Sequence, residues 1–428
     1  MNFTDEILRK LRSLGEGTAM VLRGVELSRP GFIKKVDILS AALLNIRKRK
    51  VATLCFNSPD FVALVLAAVQ VGVEIYPLNP SYKKYEIEKY TEGIDVVIND
   101  DTLRNMLLTT SEEKYEMSRN GGVIFFSSGT TGPPKPFFYS QKLLLNQLNQ
   151  FQMIAYSDDY HSPSGDDVCY GVLPYFHAGG LITVFSQLWS GAKIVVNERF
   201  EPQDFLRNIE TERVTILFLV PPVMKFLAEA DLTGYDLTSL RSIFIGAAST
   251  RLEHFEAVNR RLKLDHLIQL YGITEFGVLL SSTGRGVCDG KNVGKPYPLV
   301  AIEVTNDEIC IKSAATGDEF LPTGDLGYLD DDGNLIISGR KKEMIKIRGW
   351  QVNPSEIEQL ILTVPGVQDC AVHLDNDLLV ASIVGDIDVK ALLKITRDSF
   401  ASYKQIQQVR KVNAIPRNAS GKLQRHLL

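Results

Sequence analysis

The residues best suited to chemistry in this sequence stand in one loop, SSGTTGPPK, at positions 127–135. Its glycines let the backbone approach a ligand closely, and successive N–H groups can form a nest that binds an anion. The hydroxyl groups supply further donors and Lys135 adds a positive charge, so the composition suits a polyphosphate. A Walker A loop is excluded, because that motif needs Ser or Thr after its lysine and then a helix, whereas Pro136 follows here. A plain turn is the alternative.

The elements that must position this loop follow an alternating pattern. An apolar run at 123–126 leads into the loop and predicts a short buried strand. Further strands are predicted over 51–56, 72–77, 96–99, 192–196, 215–220 and 241–246, and helices over 60–70, 202–211 and 222–230. This alternation favours an α/β fold, with a large N-terminal layered domain built on mostly parallel sheets.

Length and composition narrow the class of protein. A chain of 428 residues is expected to hold two or three domains, and 45% hydrophobic with 23% charged residues is typical of a globular enzyme. A net charge of −4 predicts no nucleic-acid partner and no general attraction to a membrane. The longest apolar run, 61–73, is too short for a membrane span and predicts a core helix. Scattered cysteines and a charged N-terminus predict reduced, buried thiols in a cytoplasmic protein.

A second domain is predicted where the composition changes, near Gly339. The basic stretch RKKEMIKIR begins at 340, and a smaller pattern follows, with a helix over 354–362, strands over 370–374 and 378–384, and a helix from 389. Residues 401–428 contain six Lys or Arg and no Asp or Glu. That run is either a solvated face or a positive segment that closes over a phosphate-rich ligand. We predict an N-terminal domain over 1–340 and a small C-terminal α+β domain over 341–428.

Seven short segments carry a family resemblance when they are taken in order. They are SSGTTGPPK (127–135), PYFHAGG (174–180), GAAS (246–249), YGITE (271–275), TGD (323–325), GRKKEMIKIRGWQVNPSEIE (339–358) and PRNASGK (416–422). In this order they resemble the adenylate-forming superfamily of acyl-CoA ligases, luciferases and nonribosomal peptide adenylation domains. The lysine at 342 looks like the hinge form of 4-coumarate–CoA ligases and luciferases, and the short chain resembles o-succinylbenzoate–CoA ligases.

The resemblance implies a reaction in two steps. A carboxylic acid would react with ATP to give an acyl-adenylate and pyrophosphate, and the acyl group would then pass to the thiol of CoA. Two anions must meet in the first step, so positioning and charge neutralisation would carry the catalysis. Mg²⁺, which prefers oxygen ligands and substrate phosphates, would assist.

The nucleotide-binding residues are assigned by the same resemblance. The β- and γ-phosphates would be held by Ser127, Ser128, Gly129, Thr130, Thr131, Gly132 and Lys135, and the adenosine by Gly246, Ala247, Ala248, Tyr271 and Gly272, with Asp325 on the ribose hydroxyls and Arg340 beside it. Thr274 would contact the α-phosphate, and Glu275 would hold Mg²⁺. For Tyr271 and Asp325 taken alone, a core aromatic and a turn residue are the alternatives.

The C-terminal domain would supply different groups to each step. By resemblance, Lys422 would bridge the acyl carboxylate and the ribose and phosphate oxygens in the first step. After a rotation at Lys342, Lys346 and Gln351 would face the site, and Gly349 would leave room for the pantetheine arm of CoA. A basic surface loop is the alternative for this segment.

The acid itself is constrained at His177. Amino-acid-activating relatives carry an aspartate there, which pairs with the substrate ammonium. Since His177 offers no carboxylate to balance a buried ammonium, we expect an acid without an α-amino group. The small residues Ala178, Gly179 and Gly180 predict room for an aryl, arylpropenoic or medium-chain acid. A structural histidine is the alternative.

Two departures from the family pattern leave other functions open. Pro136 replaces a usual glycine, and the segment between Glu308 and Thr323 is short. The chain could therefore be a weakly active nucleotide-binding relative. It could also be a stand-alone adenylation enzyme that loads a carrier protein. Retention of Lys422 together with the acidic residues of the site favours an active enzyme.

Overall fold

A computed structural model describes residues 2–46, 49–108, 118, 120–127, 135–248, 250–284, 292–347, 350–376, 378–417 and 422–428. Within them the α-helices are α1 (Phe3–Ser13), α2 (Arg29–Ile46), α3 (Pro59–Val71), α4 (Lys84–Tyr90), α5 (Asp100–Leu108), α6 (Gln141–Ala155), α7 (Ala178–Ser190), α8 (Pro202–Thr211), α9 (Pro221–Glu229), α10 (Leu252–Leu262), α11 (Pro354–Leu362) and α12 (Val389–Ser399). The strands are β1 (Thr18–Leu22), β2 (Val25–Ser28), β3 (Lys50–Leu54), β4 (Glu74–Pro77), β5 (Val96–Asn99), β6 (Gly122–Phe126), β7 (Pro136–Ser140), β8 (Val168–Gly171), β9 (Lys193–Val196), β10 (Ile216–Leu219), β11 (Ser242–Ile245), β12 (His266–Ile273), β13 (Gly277–Ser282), β14 (Lys295–Pro296), β15 (Ala301–Thr305), β16 (Glu308–Lys312), β17 (Leu321–Leu329), β18 (Leu335–Arg340), β19 (Ile345–Ile347), β20 (Trp350–Val352), β21 (Val367–Asp375), β22 (Leu378–Gly385) and β23 (Gln408–Lys411).

Two large sheets form the N-terminal part of the chain. The nine-stranded sheet has the order β14-β13-β12-β11-β10-β8-β9-β1-β2, and the five-stranded sheet has the order β5-β3-β4-β6-β7. Their central strands pair in parallel, as in β10 with β11 and β3 with β4. Antiparallel pairs also occur: β7 pairs with β6 in the five-stranded sheet, and β13 pairs with β12 in the nine-stranded sheet. The predicted strands and helices coincide with the observed ones to within a few residues.

Helix α3 shows why the sequence folds this way between the sheets. The Ser58 side chain caps its N-terminus by accepting from the Phe61 amide, Pro59 occupies the first turn, and Gly72 ends it in the left-handed conformation. Its residues are apolar on every side and are buried from Phe61 to Gln70. The run at 61–73 is therefore a core helix, as predicted, and among the described residues no helix is long and apolar enough to cross a membrane.

The nine-stranded sheet determines where a ligand can bind. Strands β8, β10, β11 and β12 are parallel neighbours, so their C-terminal ends meet at one edge. In open α/β sheets ligands bind outside these ends. The segments that follow carry PYFHAGG after β8, GAAS after β11 and YGITE at the end of β12. The fold therefore brings three of the sequence motifs to one edge.

The remaining strands complete the N-terminal part of the chain and form a smaller C-terminal unit that follows it in sequence. Strands β15 to β18 form an antiparallel sheet, and the eight residues 313–320 join β16 to β17. From β19 onward the chain forms its own apolar core, drawn from residues 345–409. The predicted fold class, a large domain with mostly parallel sheets and a smaller C-terminal domain, is confirmed; the boundary at 340 stays a prediction. Cys55, Cys169, Cys310 and Cys370 are free and buried, as expected, and Cys288 lies outside the described residues.

Gly272 allows the β12–β13 hairpin to close, and this generates a prediction. A Cβ at Gly272 would lie 2.0 Å from the carbonyl oxygen of Val278 and 2.6 Å from its carbon. Because backbone cannot move as a side-chain tip can, Gly272→Ala should lower the thermal-unfolding midpoint by several degrees, roughly the effect of overpacking a core. Gly165→Ala, whose Cβ would meet only Ser190 O at 3.6 Å, is the matched control. Equal midpoints for the two variants would contradict this account.

Candidate active site

A buried carboxylate, Asp325, links three elements at the sheet edge. Its Oδ2 accepts a hydrogen bond from the Tyr271 hydroxyl at 2.7 Å, and its Oδ1 accepts from Arg340 Nε at 2.6 Å. The β17–β18 register places Asp325 directly opposite Arg340. Burial, and then the charge of Asp325, raise the pKa of Tyr271 well above its usual value, so the phenol stays protonated and donates. Three residues predicted from separate motifs are thus in contact.

The turn between β12 and β13 carries the predicted phosphate and metal residues, Thr274 and Glu275. Tyr139, on β7 of the other sheet, donates from its hydroxyl to the Thr274 carbonyl at 2.8 Å. Burial raises the pKa of Tyr139, and the negative charge of Glu275 adds to the rise, which places the two side chains near each other. Tyr139 fixes the turn, and the sequence analysis missed it because its partner lies in a distant segment.

The ends of the predicted phosphate-binding loop are joined to each other. The Ser127 amide donates to Lys135 O at 2.9 Å, and the Lys135 amide donates to Ser127 Oγ at 3.4 Å. The chain then continues as the β6–β7 pair, in which Pro136 stands opposite Phe126. No helix begins at Pro136, in agreement with the exclusion of a Walker A loop. The predicted residues Ser128, Gly129, Thr130, Thr131 and Gly132 lie outside the described residues.

The GAAS segment leaves β11 in an unusual backbone conformation. Gly246 donates from its amide to Leu219 O at 3.3 Å, and a Cβ at Gly246 would lie 3.1 Å from Leu270 O. Ala247 has φ of 73°, in the left-handed region that residues with a side chain rarely adopt. Such local strain is characteristic of functional sites. Ala247 and Ala248 directly follow β11, the parallel neighbour of β12, whose end carries Tyr271; the resemblance places adenosine there.

His177 stands at the start of α7, on the segment that follows β8. Asn57 holds this segment from both sides, because its Nδ2 donates to Leu173 O at 2.9 Å and its Oδ1 accepts from the Tyr175 amide at 2.8 Å. The His177 Nε2 is buried and finds no hydrogen-bond partner among the described residues. Burial, and then the charge of Lys422, lower its pKa to about 4, so the imidazole is neutral near pH 7. An unpartnered buried nitrogen is suited to a substrate group.

The small residues after His177 differ in their surroundings. A Cβ at Gly179 would meet no atom within 4 Å, so this position leaves open space. A Cβ at Gly180 would lie 2.3 Å from Pro174 O, and Ala178 is 2% exposed within the main core. The expectation that all three residues leave room for the acid is therefore wrong for Ala178 and Gly180, which are small because the helix packs closely there.

Lys422 reaches this site from the other end of the chain. Burial and the neighbouring charge of Arg340 lower its pKa, while Asp325 and Glu275 act in the opposite direction. Three residues further on, Arg425 donates to Val372 O at 2.8 Å and pairs with Glu358 and Glu343. Arg425 thereby fixes the segment that bears Lys422. The ion pairs of Arg425 were not predicted from the sequence. The excess of Lys and Arg in residues 401–428 was the feature that could have indicated them.

The residues predicted for the second step are arranged differently. Lys346 stands opposite Gln351 in the β19–β20 hairpin and is exposed. Among the described residues no ion pair or hydrogen bond joins the Lys346 side chain to the groups around Asp325. Gly349 lies outside the described residues. The orientation of the C-terminal unit is thus the one that brings Lys422, and not Lys346, to the N-terminal groups.

Comparison with known proteins identifies the family. The AMP-binding enzyme family matches residues 9–320, and the AMP-binding enzyme C-terminal domain matches residues 356–422. A 4-coumarate–CoA ligase of Arabidopsis thaliana is 33% identical over 304 residues, which are 61% of this chain and 54% of that protein. A 4-coumarate–CoA ligase of Vanilla planifolia is 33% identical over 308 residues, 61% of this chain and 55% of that protein. The chain spans about half the length of the curated relatives it matches.

Solved structures share the fold across the whole chain. ATP-bound MatB of Rhodopseudomonas palustris superposes with a TM-score of 0.88 at 23% identity, covering 100% of this chain and 98% of that one. O-succinylbenzoate coenzyme A synthetase of Bacillus subtilis, in complex with AMP, superposes with a TM-score of 0.86 at 22% identity, covering 99% of this chain and 98% of that one. The chain belongs to the AMP-binding enzyme family, and the resemblance to the adenylate-forming superfamily is confirmed.

The neutral state of His177 predicts a shifted titration. Its pKa is about 4 in the folded chain against 6.5 when unperturbed, so the unfolded chain binds the proton more readily below pH 6.5. The stabilisation from this group is therefore present above pH 6.5 and is lost as the pH falls toward 4. NMR titration, with the His177 signal identified by its loss in His177→Gln, should give a midpoint near 4. A midpoint at the ordinary value would contradict burial as the cause.

Proposed function

We propose that this protein joins a carboxylic acid to AMP, using ATP, and then transfers the acyl group to the thiol of CoA. One observation carries the proposal: Lys422, half-buried in the C-terminal segment, lies close enough to Arg340, Asp325 and Glu275 of the N-terminal part for their charges to act on its pKa. A half-buried cation among groups suited to ribose and metal is what a reaction between two anions requires. The family and the fold support the same reaction.

In the first step a carboxylate oxygen of the acid attacks the α-phosphorus of ATP. The bond from that phosphorus to the oxygen bridging to the β-phosphate breaks, and pyrophosphate leaves with the electron pair. Lys422 would hold the attacking carboxylate beside the α-phosphate and offset the negative charge that develops. The Asp325 carboxylate retains lone pairs beyond those used by Tyr271 and Arg340, so it can also accept the ribose hydroxyls.

A magnesium ion would be held by Glu275 and by the phosphate oxygens. No group of three or more metal-binding side chains occurs among the described residues, so the protein alone offers no complete cage. This suits Mg²⁺, which is commonly bound by one or two carboxylates together with substrate phosphates. When bound, the ion would neutralise phosphate charge. Tyr139 holds the Thr274–Glu275 turn in place for both contacts.

In the second step the thiol sulfur of CoA attacks the acyl carbon, which forms a thioester and releases AMP while the thiol proton passes to solvent. We propose that a rotation near Lys342 replaces Lys422 by the hairpin that bears Lys346, Gly349 and Gln351. Lys346 is exposed in β19, so it is free of the core and able to face another surface. A carrier-protein thiol would require the same step.

The chemistry around His177 supports an acid that lacks an α-amino group. The neutral imidazole offers no negative charge, and a buried ammonium without a partner would be strongly disfavoured. The open space beside Gly179 supports an aryl, arylpropenoic or medium-chain tail. The His177 Nε2 could hold a carboxylate oxygen of such an acid if its proton is on that nitrogen.

The proposal is tested by pyrophosphate release with a panel of acids, followed by thioester detection with CoA. Release together with thioester formation supports the full reaction. Release without CoA consumption would favour a protein that loads a carrier. ATP binding with no release on any acid would favour a weakly active nucleotide-binding relative.

Lys422→Ala should reduce acyl-adenylate formation about 10²-fold or more, because removing one positioned charge from a charged transition state has about this effect. Thioester formation from supplied acyl-adenylate should survive better, since Lys422 acts in the first step. Lys346→Ala is the matched variant and should show the opposite pattern. Equal losses in both half-reactions for Lys422→Ala would contradict its assigned role.

The acid panel should include proteinogenic amino acids beside their analogues without the amino group. Pyrophosphate exchange should be faster with the analogues, by at least about tenfold, because burying an unpaired ammonium costs more than about 1.4 kcal/mol of binding free energy. 3-Phenylpropanoic acid against phenylalanine is a suitable pair. Faster exchange with the amino acid would show that His177 does not exclude the ammonium.

A further inference from the structure

Arg251 stands between the N-terminal and C-terminal parts of the chain. It directly precedes α10, and its guanidinium donates from Nη2 to Leu362 O at 2.8 Å and from Nη1 to Gln368 O at 3.0 Å. Glu253, on the first turn of α10, pairs with Nη2 at 2.8 Å and holds the guanidinium in place. One side chain of the large domain thus binds two backbone carbonyls of the small one.

The Leu362 carbonyl needs such a donor. Leu362 is the last residue of α11, and the carbonyls of a final helical turn have no partner within the helix. The negative end of the helix dipole also attracts a cation. Gln368 lies in β21, which follows α11 through a short turn. The planar guanidinium of Arg251 spans the two carbonyls, which the single ammonium of a lysine could not do with the same geometry.

The hydrogen bond from Arg251 to Leu362 O is partly shielded from water, whereas the one to Gln368 O is exposed. The Arg251 side chain is 20% exposed. Burial lowers the pKa of the adjacent His254 to about 4, with Arg251 and Lys225 adding to the effect and Asp369 of β21 opposing it. Asp369 in turn pairs with Arg417 at 3.0 Å. Because the contact is partly dry, hydrogen bonds from a charged donor are stronger there than at an open surface.

We propose that Arg251 is a positioning residue that holds the C-terminal domain in the orientation that delivers Lys422 to the active site. This inference rests on the proposed function, in which a second orientation serves the second step. Both acceptors move with the C-terminal domain, whereas Arg251 stays with α10. Any rotation near Lys342 must therefore break both hydrogen bonds, so Arg251 biases the balance toward the first orientation.

The chain supplies a matched control for this proposal. Arg261 lies near the other end of α10, the helix that Arg251 precedes, and donates from Nη1 to Leu227 O at 2.9 Å and to Ala228 O at 2.7 Å. These carbonyls end α9, so Arg261 makes the same kind of contact entirely inside the large domain. Arg251→Ala should lower pyrophosphate exchange about tenfold or more and leave thioester formation from supplied acyl-adenylate unchanged or faster. The pyrophosphate-exchange rate of Arg251→Lys should lie between those of the wild-type chain and Arg251→Ala. Arg261→Ala should leave the ratio of the two half-reactions unchanged.

An interdomain distance gives a readout that does not depend on activity. Spin labels at Met153→Cys on α6, 47% exposed, and at the exposed Lys394→Cys on α12 place one probe on each domain. The background carries Cys288→Ser, and the buried native thiols remain unlabelled. With Arg251 intact, pulsed EPR should show one dominant distance, and Arg251→Ala should shift population to a second, while Arg261→Ala should not.

The outcomes separate the two proposals. Identical distance distributions with and without Arg251 would overturn its positioning role, whatever the activity. An equal loss of both half-reactions in Arg251→Ala would also overturn it, because a purely structural role predicts that result. Absence of pyrophosphate release by the wild-type chain with every acid would refute the proposed function, and the EPR comparison would still decide the role of Arg251.

Discussion

The burial of the Asp325 carboxylate is the constraint around which the site is arranged. At 3% exposure this charge has lost most of its hydration, and a buried charge without partners would be strongly destabilising. Tyr271 and Arg340 satisfy it at hydrogen-bond distance. Their contact fixes the end of β12 against the β17–β18 pair. The same fixed charge acts on Lys422, so the cleft is ready for a cation from the C-terminal tail.

Two kinds of arginine contact determine the position of Lys422 in the C-terminal tail. Arg425 joins the tail to Glu358 and to the Val372 carbonyl inside the C-terminal domain, and these contacts can persist whatever the orientation of that domain. Arg251 instead joins the two domains. The first kind shapes the segment that carries Lys422, and the second determines where that segment lies. The proposed two-step reaction would require this division, since the tail would have to be rigid in itself yet able to leave the cleft.

The departures from the family pattern lie beside the site without removing its groups. Pro136 begins β7 opposite Phe126, where its fixed φ is compatible with an edge strand. The shortened segment before Thr323 becomes a turn between β16 and β17, and the antiparallel pairing of these strands is retained. Both changes therefore alter loops, while the strands that present Tyr271, Asp325 and Arg340 keep their register.

The sequence by itself determined the alternation of strands and helices, the core helix after Ser58 and the order of the motifs that contain Tyr271, Asp325, Arg340 and Lys422. These features depend on local periodicity, on capping residues and on short motifs, all of which can be read within one segment. Only the tertiary structure decided which side chains support them. Tyr139 lies 135 residues from its acceptor and Arg251 lies 111 residues from Leu362, so no local sequence pattern predicts either contact. The neutral state of His177 was decided in the same way, because burial and the approach of Lys422 from the far end of the chain set its pKa.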